Sequence, residues 1–263
     1  MNFEKINYNL DSGIVNIELN TPENLNALEG TMLDELSKVF DIAAYDDSVK
    51  VVVISGNGKA FSAGGDINSM KEMANGTSSV NFGDAMERLK TCALKLRSVE
   101  KPVIASIHGA AAGAGFNLAL LCDFRIVSDN TNFIQAFINI GLIPDMGGVY
   151  SLSRILGVAK ATELVMLGRA VNADEALNLG IATKVVKYED LKDETKKFAN
   201  KLSTLPSVAL KHMKKLINHA SFNEFERALA RESEYQLICA STNDFKEGIN
   251  AFIEKRRPEF SGK

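Results

Sequence analysis

Pro102-Val103-Ile104-Ala105-Ser106-Ile107 is a nearly continuous apolar run, and it leads straight into His108-Gly109-Ala110-Ala111-Ala112-Gly113-Ala114-Gly115-Phe116-Asn117-Leu118. The run reads as a strand buried on both faces, since such strands lose the apolar/polar alternation of a half-exposed one. Gly and Ala then fill 109–115, and an apolar helix is predicted over 113–121. The same order recurs on either side. Val51-Val52-Val53-Ile54-Ser55-Gly56 and Phe124-Arg125-Ile126-Val127 are two more buried strands, and Gly13 to Leu19 alternates as a half-buried one. Helical spacing appears in Met32, Leu33, Leu36, Val39 and Phe40, and again over 83–98. Strands alternating with helices indicate an α/β fold with parallel pairing.

Beyond Gly148 the pattern turns helical, with helices predicted over 149–156, 158–167, 172–179, 190–203, 206–218, 223–240 and 243–255. Ala182 to Val186 is the one short strand expected there. The chain therefore divides into an α/β core, residues 1–190, and a C-terminal helical region, residues 191–263. It shows no internal repeat, no sustained heptads and no Gly/Ser/Pro-rich linker.

Composition narrows the function. Of 263 residues, 46% are hydrophobic and 24% charged, which excludes a disordered chain. Thirty Lys and Arg against 33 Asp and Glu give a net charge of −3, so there is no global basic field and nucleic acid is not an expected partner. The three Cys are far apart without a CxxC pair, and the three His are scattered, so neither a disulfide framework nor a metal cluster is expected. MNFEKINYNLDSG lacks the features of a signal peptide, and no run has the ~18 apolar residues of a membrane span. The expected location is cytoplasmic, away from membranes.

Three stretches have the composition of a site. Phe61-Ser62-Ala63-Gly64-Gly65-Asp66-Ile67 follows a buried strand; its small residues let a ligand approach the backbone, and free N–H groups there would bind an oxyanion. A tight strand-to-helix turn explains the same residues. In 108–118 a helix beginning among Gly and Ala would aim unpaired N–H groups outward, but no P-loop Gly-Lys-Ser/Thr and no full GxGxxG is present. Close helix–sheet packing is the plain alternative. In Ile140-Gly141-Leu142-Ile143-Pro144-Asp145-Met146-Gly147-Gly148 an acid sits among apolar residues, where a raised pKa suits acid–base work. The plain alternative is an Asp capping the next helix.

Together, and in this order, the three stretches resemble the crotonase, or enoyl-CoA hydratase/isomerase, superfamily, from Asn24-Leu25-Asn26-Ala27-Leu28 to Arg257-Pro258-Glu259-Phe260. The resemblance implies a ββα spiral core, C-terminal helices that assemble trimers or hexamers, and acyl-CoA thioesters as substrates, with no cofactor beyond the CoA of the substrate. It implies that Gly65 and Ala114 donate backbone N–H groups to the thioester oxygen. Ala63, Gly64, Asp66 and Ile67 would line the adenine pocket of CoA. Hydratases of the family use two Glu to activate water; this chain has Asn117 and Phe137 at those positions. Asp145 falls where the epoxyphenylacetyl-CoA isomerases and double-bond-shifting enoyl-CoA isomerases keep one working Asp. The implied activity is an enoyl-CoA isomerase with Asp145 as proton shuttle, Phe137 a pocket wall and Asn117 a polar neighbour.

A hydratase with water held by Asn117 and Asp145 is the second reading, and a non-catalytic acyl-CoA- or RNA-binding member the third. Lys211, Lys214 and Lys215, and Lys255, Arg256 and Arg257, are basic clusters that either meet CoA phosphates or form solvated helix faces. Lys59 and His108 flank the first two motifs and are more simply a surface lysine and a loop histidine. Met70, Met73 and Met86 suit either an acyl tunnel or ordinary core.

Overall fold

The computed structural model describes residues 3–263. Nine strands are present among them: β1 (Ile6–Asp11), β2 (Ile14–Leu19), β3 (Val51–Gly56), β4 (Val103–Ile107), β5 (Ala110–Ala112), β6 (Phe124–Ser128), β7 (Asn132–Ile134), β8 (Ala170–Asn172) and β9 (Lys184–Val186). The main sheet has the order β1-β2-β3-β4-β6-β9, antiparallel between β1 and β2 and parallel thereafter. A smaller sheet has the order β5-β7-β8. The chain passes from β4 to β5 and then into α4 (Ala114–Leu121); it passes again from β6 to β7 and then, through a 3-10 turn at Ala136–Ile140, into α5 (Gly148–Leu167). Each turn places one strand in each sheet and closes with a helix, which is the expected ββα spiral.

The apolar strands divide their side chains between two cores, as a period of two requires. Val52, Ile54, Val103, Ala105 and Ile107 join one core with residues of α1 (Gly30–Tyr45) and α3 (Phe82–Ser98). Val51, Val53 and Ile104 join the other with Leu191, Ala199 and Leu202 of α7 (Leu191–Ser203). The first helix beyond residue 190 thus covers the second face of the main sheet. Every residue of α4 is buried, which suits a helix apolar all round.

Five elements were not expected from the sequence. β1 is an edge strand with four of its six residues exposed, and β5, β7 and β8 are three residues each, too short for periodicity to show. α2 (Ile67–Ala74) has no buried residue of its own. In α5 the backbone leaves helical geometry at Gly157, φ 74°, the position left between the two helices predicted over 149–156 and 158–167. The remaining helices are α6 (Ala173–Asn178), α8 (Ser207–Ser221), α9 (Phe225–Ala240) and α10 (Asn243–Glu254). α8 begins one residue after Pro206, which precedes its first turn.

Candidate active site

The first two motifs meet edge to edge. Ser62 pairs with Ala111 of β5: Ser62 N–H donates to the Ala110 carbonyl and Ala112 N–H to the Ser62 carbonyl, at 3.1 and 3.0 Å. On its other side this segment is held by 25–28, where Ala63 N–H donates to Leu25 O at 2.9 Å and Leu28 N–H to Gly64 O at 2.6 Å. Leu25 and Asn26 adopt left-handed backbone, and the buried Asn26 side chain binds the carbonyls of Asn57 and Ala60 and the N–H of Thr21. That amide ties 21–28 to the loop after β3, a role the sequence motif did not disclose.

Gly64 lies against the start of α4. Its φ is +93°, and a Cβ there would stand 2.6 Å from Ala112 O and 3.3 Å from Ala114 N. Only glycine permits this approach. Gly65 N–H and Ala114 N–H, the latter at the first position of α4, donate to no acceptor among the described residues. The two are candidate donors to one ligand oxygen, and the helix dipole favours negative charge at the second. A Cβ at Gly113 would meet the Phe137 ring at 3.5 Å, so Phe137, in the 3-10 turn, stands over the same corner. Phe137 packs with Ile140, Leu142, Phe245 and Ile249, and Ile67 and Met70 lie against this cluster. Asp66 caps α2, accepting from Ser69 N–H at 2.7 Å.

Asp145 is buried, 3% exposed. Its carboxylate does not cap α5; the cap position is Gly147, and Oδ1 of Asp145 has no hydrogen-bond partner. Burial pushes the carboxyl up to about 7, against a smaller downward pull from the Asn117 amide. Asn117, on α4 and 0% exposed, donates from Nδ2 to the main-chain carbonyl of Asp145 at 2.9 Å, and its Oδ1 accepts from Gln135 Nε2 at 2.7 Å. Both ends of that amide are therefore engaged inside the protein. A Cβ at Gly148 would lie 2.5 Å from it, so α5 starts with glycine to make room.

Two side chains of α9 complete the support and were not found in the sequence. Gln236 accepts from Ile143 N–H at 2.9 Å and donates to Ile143 O at 2.7 Å; Glu232 accepts from Gly147 N–H at 2.8 Å. Their spacing of four residues places them one turn apart, which in sequence reads as an ordinary polar helix face.

The other candidates have structural partners. His108 donates from Nε2 to Gly58 O at 2.9 Å and packs on Tyr188, while Lys59 is exposed. Lys214 is buried on Asp123 at 2.6 Å, and Lys211 and Lys215 both pair with Glu100. Arg256 pairs with Glu247 and Glu254; Lys255 and Arg257 are exposed. Met86 is buried. Among the described residues no group of His, Cys, Asp and Glu is arranged to hold a metal ion, and no helix is long and apolar enough to cross a membrane.

The pattern described as enoyl-CoA hydratase/isomerase matches residues 9–263. The chain belongs to the enoyl-CoA hydratase/isomerase family. It is an enzyme of the crotonase superfamily. It is 40% identical, over all of both chains, to a trans-2-decenoyl-[acyl-carrier-protein] isomerase of Streptococcus mutans. It is 35% identical to the 1,2-epoxyphenylacetyl-CoA isomerase of Escherichia coli, over 97% of each chain, and 39% identical to a short-chain-enoyl-CoA hydratase of Clostridium acetobutylicum, over 92% of each. The crystal structure of an enoyl-CoA hydratase from Mycobacterium avium subsp. paratuberculosis superimposes with a TM-score of 0.91 at 30% identity, covering 99% of this chain and 100% of that one. Relatives named isomerase and relatives named hydratase thus share this fold at similar identity.

Proposed function

We propose that the chain is an isomerase that shifts the double bond of an enoyl thioester, with acyl-CoA as the substrate class. The observation that carries this reading is the carboxyl of Asp145, buried without a partner on Oδ1 and carried on a loop that Asn117 ties to α4, the helix whose first N–H is free. A double-bond shift needs one group that takes a proton and gives it back. Hydration needs, in addition, groups that hold and activate water.

In the proposed cycle the Asp145 carboxylate removes a proton from the α-carbon of a β,γ-enoyl thioester. The C–H electron pair enters the conjugated system and forms a dienolate, whose oxygen accepts hydrogen bonds from Gly65 N–H and Ala114 N–H. The now neutral Asp145 returns the proton at the γ-carbon, giving the α,β-enoyl isomer. No proton is gained or lost overall. Donors aimed at the developing oxyanion are typically worth about 3 kcal/mol each. An acid held near 7 is half ionised near neutrality, which suits a group that works in both directions. Asn117, with its amide bound to Asp145 O and Gln135, supports the loop, while Phe137 supplies an apolar wall. Ala63, Gly64, Asp66 and Ile67 remain the proposed contacts of the CoA nucleotide, and the exposed apolar side chains Met213, Leu216, Ile217 and Phe252 suit assembly of trimers or hexamers through the C-terminal helices.

The test is Asp145→Asn assayed on a β,γ-enoyl-CoA, with the same acyl group on acyl carrier protein as a second arm and crotonyl-CoA hydration as a third. Loss of the general base is expected to lower isomerisation by about a hundredfold or more. Isomerisation near the wild-type rate in Asp145→Asn, or hydration faster than isomerisation in the wild type, would overturn the reading. Turnover on the carrier-protein substrate alone would reassign the carrier.

A further inference from the structure

We propose that Gln236 of α9 is a positioning residue for Asp145: it holds Ile143, two residues before the acid, by both of that residue's backbone hydrogen-bonding groups. This deepens the isomerase reading and rests on it.

Ile143 is followed by Pro144. A residue before proline is pushed to extended backbone, and proline itself offers no N–H. In extended backbone the N–H and C=O of one residue point to the same side, as in the hydrogen-bonded pairs of an antiparallel ladder. A glutamine amide carries an acceptor and a donor together. Oε1 of Gln236 accepts from Ile143 N–H at 2.9 Å, and its Nε2 donates to Ile143 O at 2.7 Å. The side chain thus stands in for a strand partner where the loop has none. Gln236 is 1% exposed, so both bonds are shielded from water. Among the described residues Ile143 and Pro144 make no other hydrogen bond.

Gln236 belongs to one face of α9. Phe225, Leu229, Glu232 and Gln236 follow one another at intervals of four, three and four, the spacing of a single helical stripe. Phe225, Leu229 and Gln236 are the buried residues of the helix, while Tyr235, Leu237 and Ile238 beside them are exposed. Phe225 and Leu229 are part of the main core, so apolar packing fixes the register of α9. The amide reaches the loop from that fixed helix and decides where Ile143 sits. Pro144, with its fixed φ, passes the placement on to Asp145. On the far side of the acid the loop is held differently, by Asn117 and Gly148 on the Asp145 carbonyl.

The experiment measures kcat and KM for the β,γ-enoyl-CoA shift in Gln236→Met and Gln236→Asn, each made in the wild type and in Asp145→Asn. Gln236→Met keeps the length of the side chain and loses both bonds; Gln236→Asn keeps the amide on a shorter arm and carries the test if the first variant folds poorly. In the wild-type background Gln236→Met is expected to lower kcat by about tenfold to a hundredfold with KM within about twofold, because a small misplacement of a catalytic group slows the chemistry without weakening binding. Gln236→Asn is expected to lose less. In the Asp145→Asn background the same substitutions are expected to change the residual rate by under about twofold, because a residue that acts through Asp145 has nothing left to act on. Wild-type kcat in Gln236→Met would overturn the proposal. So would an equal fall in both backgrounds, which is what a support of the fold alone would give. Native-state hydrogen exchange at Ile143 N–H in the wild type needs no variant: slow exchange is expected, and exchange at the rate of an open loop would overturn the grip. Failure of the isomerase reading appears separately, as near wild-type isomerisation by Asp145→Asn itself, and this proposal would fall with it.

Discussion

The side-chain amide of Asn117 donates to the main-chain carbonyl of Asp145 at 2.9 Å, while Gln135 donates to the oxygen of the same amide at 2.7 Å. The helix that begins at the candidate oxyanion corner thereby fixes the loop that carries the candidate acid. Residues 28 apart in sequence become one unit, in which Gln135 Oε1 and the acid's own Oδ1 are the buried side-chain atoms left without a partner.

Asn117→Ala removes the centre of that chain, leaves the buried Gln135 amide unpaired and leaves the Asp145 carbonyl with only its bond from Gly148 N–H. Each unmet group costs about 1–3 kcal/mol. The expected outcome is a variant destabilised by roughly 2 kcal/mol or more in urea unfolding. Asn117→Leu fills the volume without restoring the bonds and is expected to be no more stable than Asn117→Ala.

Asp145 places a pH dependence on stability. Its folded value is raised, so the stability it contributes is present in full below the ordinary carboxyl value and is lost as pH rises to about 7. The gap corresponds to at most on the order of 4 kcal/mol. Asp145→Asn, which cannot ionise, is expected to melt above the wild type at about pH 8 and to lose that advantage at about pH 4. Thermal melts across this range check the sign.

Gly64→Ala tests the oxyanion corner. The new Cβ would lie 2.6 Å from Ala112 O at a φ of +93°, so the two backbone segments must part. If Gly65 and Ala114 N–H act on one oxygen, kcat is expected to fall by about a hundredfold or more, comparable to loss of a donor. Circular dichroism would check that the fold survives.

The lysines of α8 separate a structural charge from surface ones. Lys214 is 8% exposed and bound to Asp123 and to the Lys101 carbonyl. Lys214→Met is expected to cost about 3 kcal/mol, because Asp123 keeps a partly buried charge without its nearest partner. Lys211→Met, on the exposed pair with Glu100, is expected to cost under about 1 kcal/mol. Equal losses in the two variants would contradict the assignment.

Much of this was legible in the residues. The buried strands 51–56 and 102–107, the helix in the Gly/Ala stretch and the gap at Gly157 all follow from local pattern. Asp145 could be singled out as an acid among apolar neighbours. The plain alternative for it, a helix cap, could not be dismissed from sequence, because a cap and a buried acid before a helix have the same spelling. Its carboxylate caps nothing, a consequence of the tertiary packing that buries it with Oδ1 unpartnered.

His108 and Lys214 show the opposite error of scale. Each stands in a suggestive sequence context, and each is held by a partner, Gly58 and Asp123, 50 and 91 residues away. Glu232 and Gln236 gave no sequence signal, since two polar residues four apart on a helix look solvated until the helix is packed.

By itself the sequence determined the α/β order, the places where small residues bring backbones together, and the presence of an acid among apolar neighbours at Asp145. These are local properties, written in periodicity and residue size. The tertiary structure decided which N–H groups stay free, that Asn117 serves the Asp145 backbone, and that a carboxyl from α9 holds Gly147 N–H two residues past the acid. Those depend on burial and on partners distant in sequence, and a carboxyl's proton affinity is set by its surroundings in three dimensions.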